Sequence, residues 1–182
     1  MTYVMLCPVE INGFGIVNFD NPQVILLEDV FILDQLATPG SVETDPLALG
    51  RYMHQLHLDG GDSSKIKFQW HSHVQMPPFF SAVDKDNIEN WPGDWLVSLV
   101  LNQRGEFECR YDSLRPLRFS QVLEPVIDVT VTAAVADELA KEVAGKVKQP
   151  RWGGLGTRSL TDGSVDPDAW TPTTPQFLNL AG

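Results

Sequence analysis

Two histidines two residues apart, His71 and His73, are followed by Ser81 and then Asp84. Two imidazole nitrogens and a carboxylate oxygen are donors that zinc takes in hydrolytic enzymes, where three protein ligands leave the fourth position for water. The pattern is H-x-H, seven residues, then S-x-x-D, in a chain of 182 residues that holds four His. A chance match to so long a pattern has odds of roughly a few in ten thousand, the scale on which short motifs should be judged. The chemistry implied is hydrolysis by a metal-activated water.

The elements that must position these groups can be read around them. Lys65 to His73 (KIKFQWHSH) places Ile66, Phe68 and Trp70 in alternation, the pattern of a half-buried strand. Residues two apart on a strand leave the same face, so His71 and His73 can converge on one ion. Asp84 must arrive from another element. A loop through Pro77 and Pro78, turning into a helix from Ser81 to Trp91, would bring it there. Ser81 carries two readings: an N-cap in an S-x-x-D capping box, and a hydroxyl that donates to an oxyanion during acyl transfer. Bound zinc lowers the pKa of its water towards 7. A group must still take that proton and return it to the leaving amine. The three-ligand motif contains no spare base, so a glutamate is needed from elsewhere.

With a glutamate upstream, the constellation resembles the JAMM motif of the MPN-domain metalloproteases, which include deubiquitinases and shorter bacterial and phage relatives. In that family the glutamate stands just before a glycine-containing apolar strand, and Glu10 in Pro8-Val9-Glu10-Ile11-Asn12-Gly13-Phe14-Gly15 matches this placement. Glu28 is the competitor, within the next strand-like run. The resemblance implies Glu10 as general base, His71, His73 and Asp84 as ligands of one zinc per chain, and Ser81 as oxyanion stabiliser. It implies an α/β MPN (cytidine-deaminase-like) fold: a mixed central sheet flanked by helices, with zinc at a strand end and a helix N-terminus. It covers roughly residues 5–148, and there are three departures from the family. The family has a long helix before the glutamate, where only nine residues stand here; Val74 replaces a common Pro; and the tail after residue 148 has no counterpart. The activity implied is that of an isopeptidase or peptidase hydrolysing an amide bond after the C-terminal tail of ubiquitin or a ubiquitin-like protein. That tail would be added as a strand along the cleft. The alternatives are a non-enzymatic MPN scaffold that binds partners, and a structural zinc site closed by Cys7 or Cys109.

Composition narrows the setting. A net charge of −11 argues against nucleic acid and against anionic membrane surfaces, both of which are bound through clustered Lys and Arg. Cys7 and Cys109 are expected as buried free thiols, with no disulfide framework. No signal peptide and no apolar run of membrane-spanning length is legible, so the expected location is cytoplasmic.

Further elements follow from pattern. Strands are expected at Ile11–Val17 and at Val24–Leu33, the latter bent at Glu28-Asp29, and a helix at Pro46–Leu58 capped by Thr44 or Asp45. Ala37–Asp45 reads as a loop. Trp95–Asn102 and Glu106–Tyr111 read as a hairpin, Val126–Val131 as a strand, and Ala133–Lys148 as an amphipathic helix. Two segments are expected: a metalloprotease domain over 1–148 and an extended or disordered Gly/Pro/Thr-rich tail over 149–182, a possible docking site for a protein partner. His54 and His57 on the helix lack a third ligand at sensible spacing and read as surface or core histidines. Gly153-Gly154 resembles the diglycine ends such enzymes cleave, yet glycine pairs are common in flexible tails.

Overall fold

The apolar alternation around the histidines builds the centre of a six-stranded sheet. The computed structural model describes residues 1–21, 23–126 and 130–150. Strands β1 (Asn12–Asn18), β2 (Leu26–Phe31), β5 (Ile66–Ser72), β6 (Trp95–Leu101), β7 (Phe107–Ser113) and β8 (Phe119–Leu123) lie in the order β2-β1-β5-β6-β7-β8. Only β5 and β6 run parallel; the other pairs are antiparallel, so the sheet is mixed. A parallel pair needs a crossover, and here the crossover is the proline loop plus α3 (Ala82–Glu89). That connection carries Ser81 and Asp84 back over the sheet.

β1 and β5 pack closely because β1 is rich in glycine. A Cβ on Gly13 would stand 2.4 Å from the Phe31 carbonyl oxygen and 2.7 Å from Trp70 Nε1, so no larger residue fits between β2 and β5 there. The bend expected at Glu28-Asp29 is a register irregularity. Ile16 pairs with Asp29 but Val17 with Leu27, leaving Glu28 as the extra residue.

Two layers cover the sheet. On one side α1 (Thr2–Leu6) and α4 (Ala133–Lys146) bury Tyr3, Val4 and Val143 with Phe68, Trp70 and Val97. On the other, Phe80 and Ile88 pack with Leu96, Val100 and Leu114. Eight residues are too few for a helix to persist alone in water. Burying Phe80 and Ile88, worth roughly 2 kcal/mol each, is what pins α3 and hence Asp84. The helix α2 (Pro46–Leu58) starts as its sequence indicates, with Pro46 at its first position and Asp45 accepting from Leu47 N.

Three expectations are corrected. Ala37–Asp45 is no loop: β3 (Gln35–Thr38) and β4 (Ser41–Thr44) form a hairpin whose two-residue turn is Pro39-Gly40. A strand stands at Phe119–Leu123, ahead of the one expected at Val126–Val131; of that segment Val126, Thr130 and Val131 carry no strand, and residues 127–129 lie outside the described residues. Helix α4 ends at Lys146, because Val147–Lys148 forms β9 and pairs in parallel with β3. The second sheet therefore has the order β4-β3-β9. Ahead of Glu10, α1 is tied to α4 by a hydrogen bond from the Tyr3 hydroxyl to Glu142. Residues Met1–Pro150 form one unit; the rest of the expected tail, with Gly153-Gly154, lies outside the described residues. Among the described residues no helix is long and apolar enough to cross a membrane.

Candidate metal centre and catalytic cleft

His71 sits near the end of β5, and His73 follows just beyond it. His73 N donates to Leu101 O at 2.9 Å, which holds the chain against β6 past the last paired residue. His71 Nε2 and His73 Nε2 are 3.1 Å apart, and His71 Nε2 is 3.6 Å from Asp84 Oδ1. One ligand atom from each of His71, His73 and Asp84 lies within 4.8 Å of the others. Tetrahedral zinc with bonds of about 2.0–2.1 Å places its ligand atoms roughly 3.3 Å apart. The 3.1 and 3.6 Å separations from His71 lie on either side of that value, so the donor set is one that could hold a zinc ion. Among the described residues no other His, Cys, Asp or Glu belongs to the group. Cys7 and Cys109 are buried free thiols outside it.

The surroundings set each ligand's chemistry. His73 Nδ1 lies 3.0 Å from the Pro77 carbonyl oxygen. A carbonyl only accepts, so Nδ1 carries the proton and the Nε2 lone pair points at the centre, the usual support for a metal-bound histidine. Burial pushes His71 below its ordinary pKa; Asp84 works in the opposite sense, and His73 adds to the lowering. A neutral imidazole is the form a metal needs. Asp84 divides its two oxygens. Oδ2 accepts from Ser81 N at 2.7 Å and from Ser81 Oγ at 2.6 Å, while Asp84 N donates back to Ser81 Oγ at 3.2 Å. This closes a capping box at the start of α3 and leaves Oδ1 towards His71. The same carboxylate therefore caps the helix and offers a donor to the group.

Glu10 lies just ahead of β1, with its backbone N donating to Thr38 O at 3.0 Å. It is 6% exposed. Burial, with a smaller contribution from the charge of Asp84, pushes its carboxyl up to about 7. Glu10, His71, His73, Ser81 and Asp84 all line one cleft of about 360 Å³, walled further by Phe14, Ser41, Val42 and Phe79. Glu28 is elsewhere: it is exposed on β2 and accepts from Asn18 Nδ2. His54 and His57 are exposed on α2 and outside the convergent group. Trp70 is core, stacked on Tyr3 at 5.8 Å.

Sequence reasoning passed over the residues that brace this site. Asn102 is fully buried and donates from Nδ2 to Met76 O at 2.9 Å, while Gln103 N donates to Val74 O at 2.8 Å. Together they tie the ligand loop to the β6–β7 turn. Val74 pays for that path with φ +47°, a left-handed conformation that β-branched residues avoid. Gln35 and Ser72, both buried, hold the backbone around Glu10. An isolated Asn, Gln or Ser in an apolar run carries no spacing signal that could have singled them out.

No family model matches the chain. It is similar to Desampylase from Pyrococcus furiosus, 28% identical over 79 residues. The match covers 43% of this chain and 52% of that protein, so the chain spans about half the length of the relative it resembles.

Proposed function

We propose that the chain is a zinc-dependent isopeptidase of the JAMM type, with an MPN fold, that hydrolyses an amide bond after the C-terminal tail of a ubiquitin-like protein. The observation that carries the reading is one cleft holding three convergent metal donors and a buried glutamate whose carboxyl titrates near neutrality. The partial similarity to Desampylase supports the same class of reaction and substrate. His71, His73 and Asp84 would hold the zinc, which supplies Lewis acidity and a water of lowered pKa.

The remaining chemistry belongs to the chain. Glu10 is the proton carrier: a carboxyl with a pKa of about 7 can take the proton of the attacking water and give it to the departing amine. Ser81 has its hydroxyl at the mouth of the capping box, where rotation away from Asp84 Oδ2 turns the donor to a developing oxyanion. Phe79 packs edge-on against His73 at 4.7 Å and forms one wall of the cleft. The outer edge of β4 is unpaired among the described residues, and Ser41 and Val42 line the cleft. An extended substrate tail added along that edge would run towards Glu10 and the ligands. A scaffold that only bound partners would gain nothing from burying Glu10 beside Asp84, an arrangement that costs stability whenever the carboxylate is ionised.

The test is incubation with fusions in which a ubiquitin-like protein is joined through its diglycine end to a lysine side chain. Cleavage at that bond, abolished by a chelator and restored by zinc, is the expected result. Intact substrate with zinc-loaded protein across a panel of such fusions would contradict the substrate class.

A further inference from the structure

Glu10 stands where β1 has already left the sheet. Regular pairing of β1 with β2 begins only at Phe14 opposite Phe31, and pairing with β5 ends at Asn12 opposite His71. Backbone N–H and C=O groups abandoned by a ladder in a buried place need other partners. Two buried side chains supply them.

On the β5 side, Ser72 N donates to Ile11 O at 2.8 Å, as an antiparallel pair would. The return bond does not go to the Ser72 carbonyl. Ile11 N donates instead to Ser72 Oγ at 3.0 Å. The hydroxyl substitutes for the carbonyl at the point where the two strands part. On the β3 side, Gln35 does the same work for Asn12. Gln35 Oε1 accepts from Asn12 N at 3.0 Å, and Gln35 Nε2 donates to Asn12 O at 3.0 Å and to Leu33 O at 2.9 Å. Ser72 is 1% exposed and Gln35 4%, so neither bond is exchanged for one to water at little cost.

We infer that Ser72 and Gln35 are positioning residues: a two-sided clamp that holds the Glu10–Asn12 backbone in register with the metal ligands. The geometry explains why side chains are used. Continuing the backbone ladder would keep β1 flat against β5, whereas the exchange to Oγ lets the chain bend towards Thr38 while remaining tied. Because Ser72 sits between His71 and His73, one residue fixes the distance from the ligand strand to the Glu10 segment. A displaced general base slows proton transfer without changing how substrate binds, so the clamp acts on kcat. The inference rests on the proposed role of Glu10, and its test reads backbone protection independently of activity.

The experiment compares wild type with Ser72→Ala, Ser72→Thr, Gln35→Met and Val143→Ala. The last removes buried apolar volume in α4, away from the cleft, and controls for lost stability. Amide hydrogen exchange is measured on metal-free protein, and kcat, KM and zinc content on loaded protein. The expected result for Ser72→Ala and Gln35→Met is faster exchange at Ile11 and Asn12 respectively, beyond that in Val143→Ala. Zinc content and KM stay unchanged while kcat falls about ten- to a hundredfold, the size expected for a misplacement near 1 Å. Ser72→Thr, which keeps the oxygen, recovers protection at Ile11 and most of kcat. Wild-type protection at these amides, or a kcat loss no greater than in Val143→Ala, overturns the clamp. If the wild type cleaves no substrate the hydrolase reading fails, and the clamp is still decided by the exchange data alone.

Discussion

Replacing Glu10 by Gln should make the metal-free protein more stable at alkaline pH, and the size of the gain follows from the site. The carboxyl is pushed up to about 7 by burial and by Asp84, from an ordinary 4.5. The native state therefore binds the proton more tightly than the unfolded chain, and stability falls as pH rises between those two values. At about 1.36 kcal/mol for each pH unit between those values, the ceiling is near 3.4 kcal/mol, nearly all of it expressed by about pH 8. Solvent in the cleft screens part of this, so about 1.5–3 kcal/mol is expected. At about pH 4 the carboxyl is protonated in both states and the contribution vanishes. Glutamine keeps the shape and removes the charge. Urea denaturation in the presence of a chelator, repeated across this pH range, measures the effect. The stability difference between Glu10→Gln and wild type should grow by that amount from about pH 4 to about pH 8. Parallel stability curves, or a variant that loses ground as pH rises, would refute the electrostatic reasoning.

Other outcomes follow from the same geometry. Ser81→Ala removes the capping-box acceptor for Asp84 N and should cost about 1 kcal/mol in metal-free stability, with a further loss of kcat in the loaded protein; a variant with wild-type stability would contradict the cap. Val74→Asn relieves a left-handed conformation and should raise stability by about 1 kcal/mol in thermal melts, whereas a drop would show that the valine side chain packs usefully there. Cys7 and Cys109 are buried, and burial pushes the Cys109 thiol up to about 11. Neither should be alkylated in the native protein at about pH 8, and both should react in denaturant, read by mass spectrometry; prompt native labelling would contradict their placement.

The parts legible in the sequence are those with a period or a cap. Alternation at Ile66, Phe68 and Trp70 places His71 on its strand, and Asp45-Pro46 and Ser81-x-x-Asp84 mark helix starts that the structure reproduces. Even the extra residue at Glu28 is visible as an interruption in an apolar run. The β3–β4 hairpin was not legible, because four-residue strands are too short to show a period of two. Their Thr, Ser and Gly content also reads as a loop. The two residues of β9 owe their conformation to β3, a partner more than a hundred positions away, which no local pattern records. The same holds for Gln35, Ser72 and Asn102, whose importance lies in the backbone groups they reach rather than in any motif.

In the proposed zinc hydrolase the metal ligands and the proton carrier are separate groups. Metal content and fusion cleavage measured together on wild type, Asp84→Ala and Glu10→Gln test that separation. About one zinc per chain in wild type and in Glu10→Gln is expected, with zinc lost in Asp84→Ala and cleavage lost in both variants. Wild type purified without zinc and unable to take it up, or full cleavage by Glu10→Gln, would contradict it.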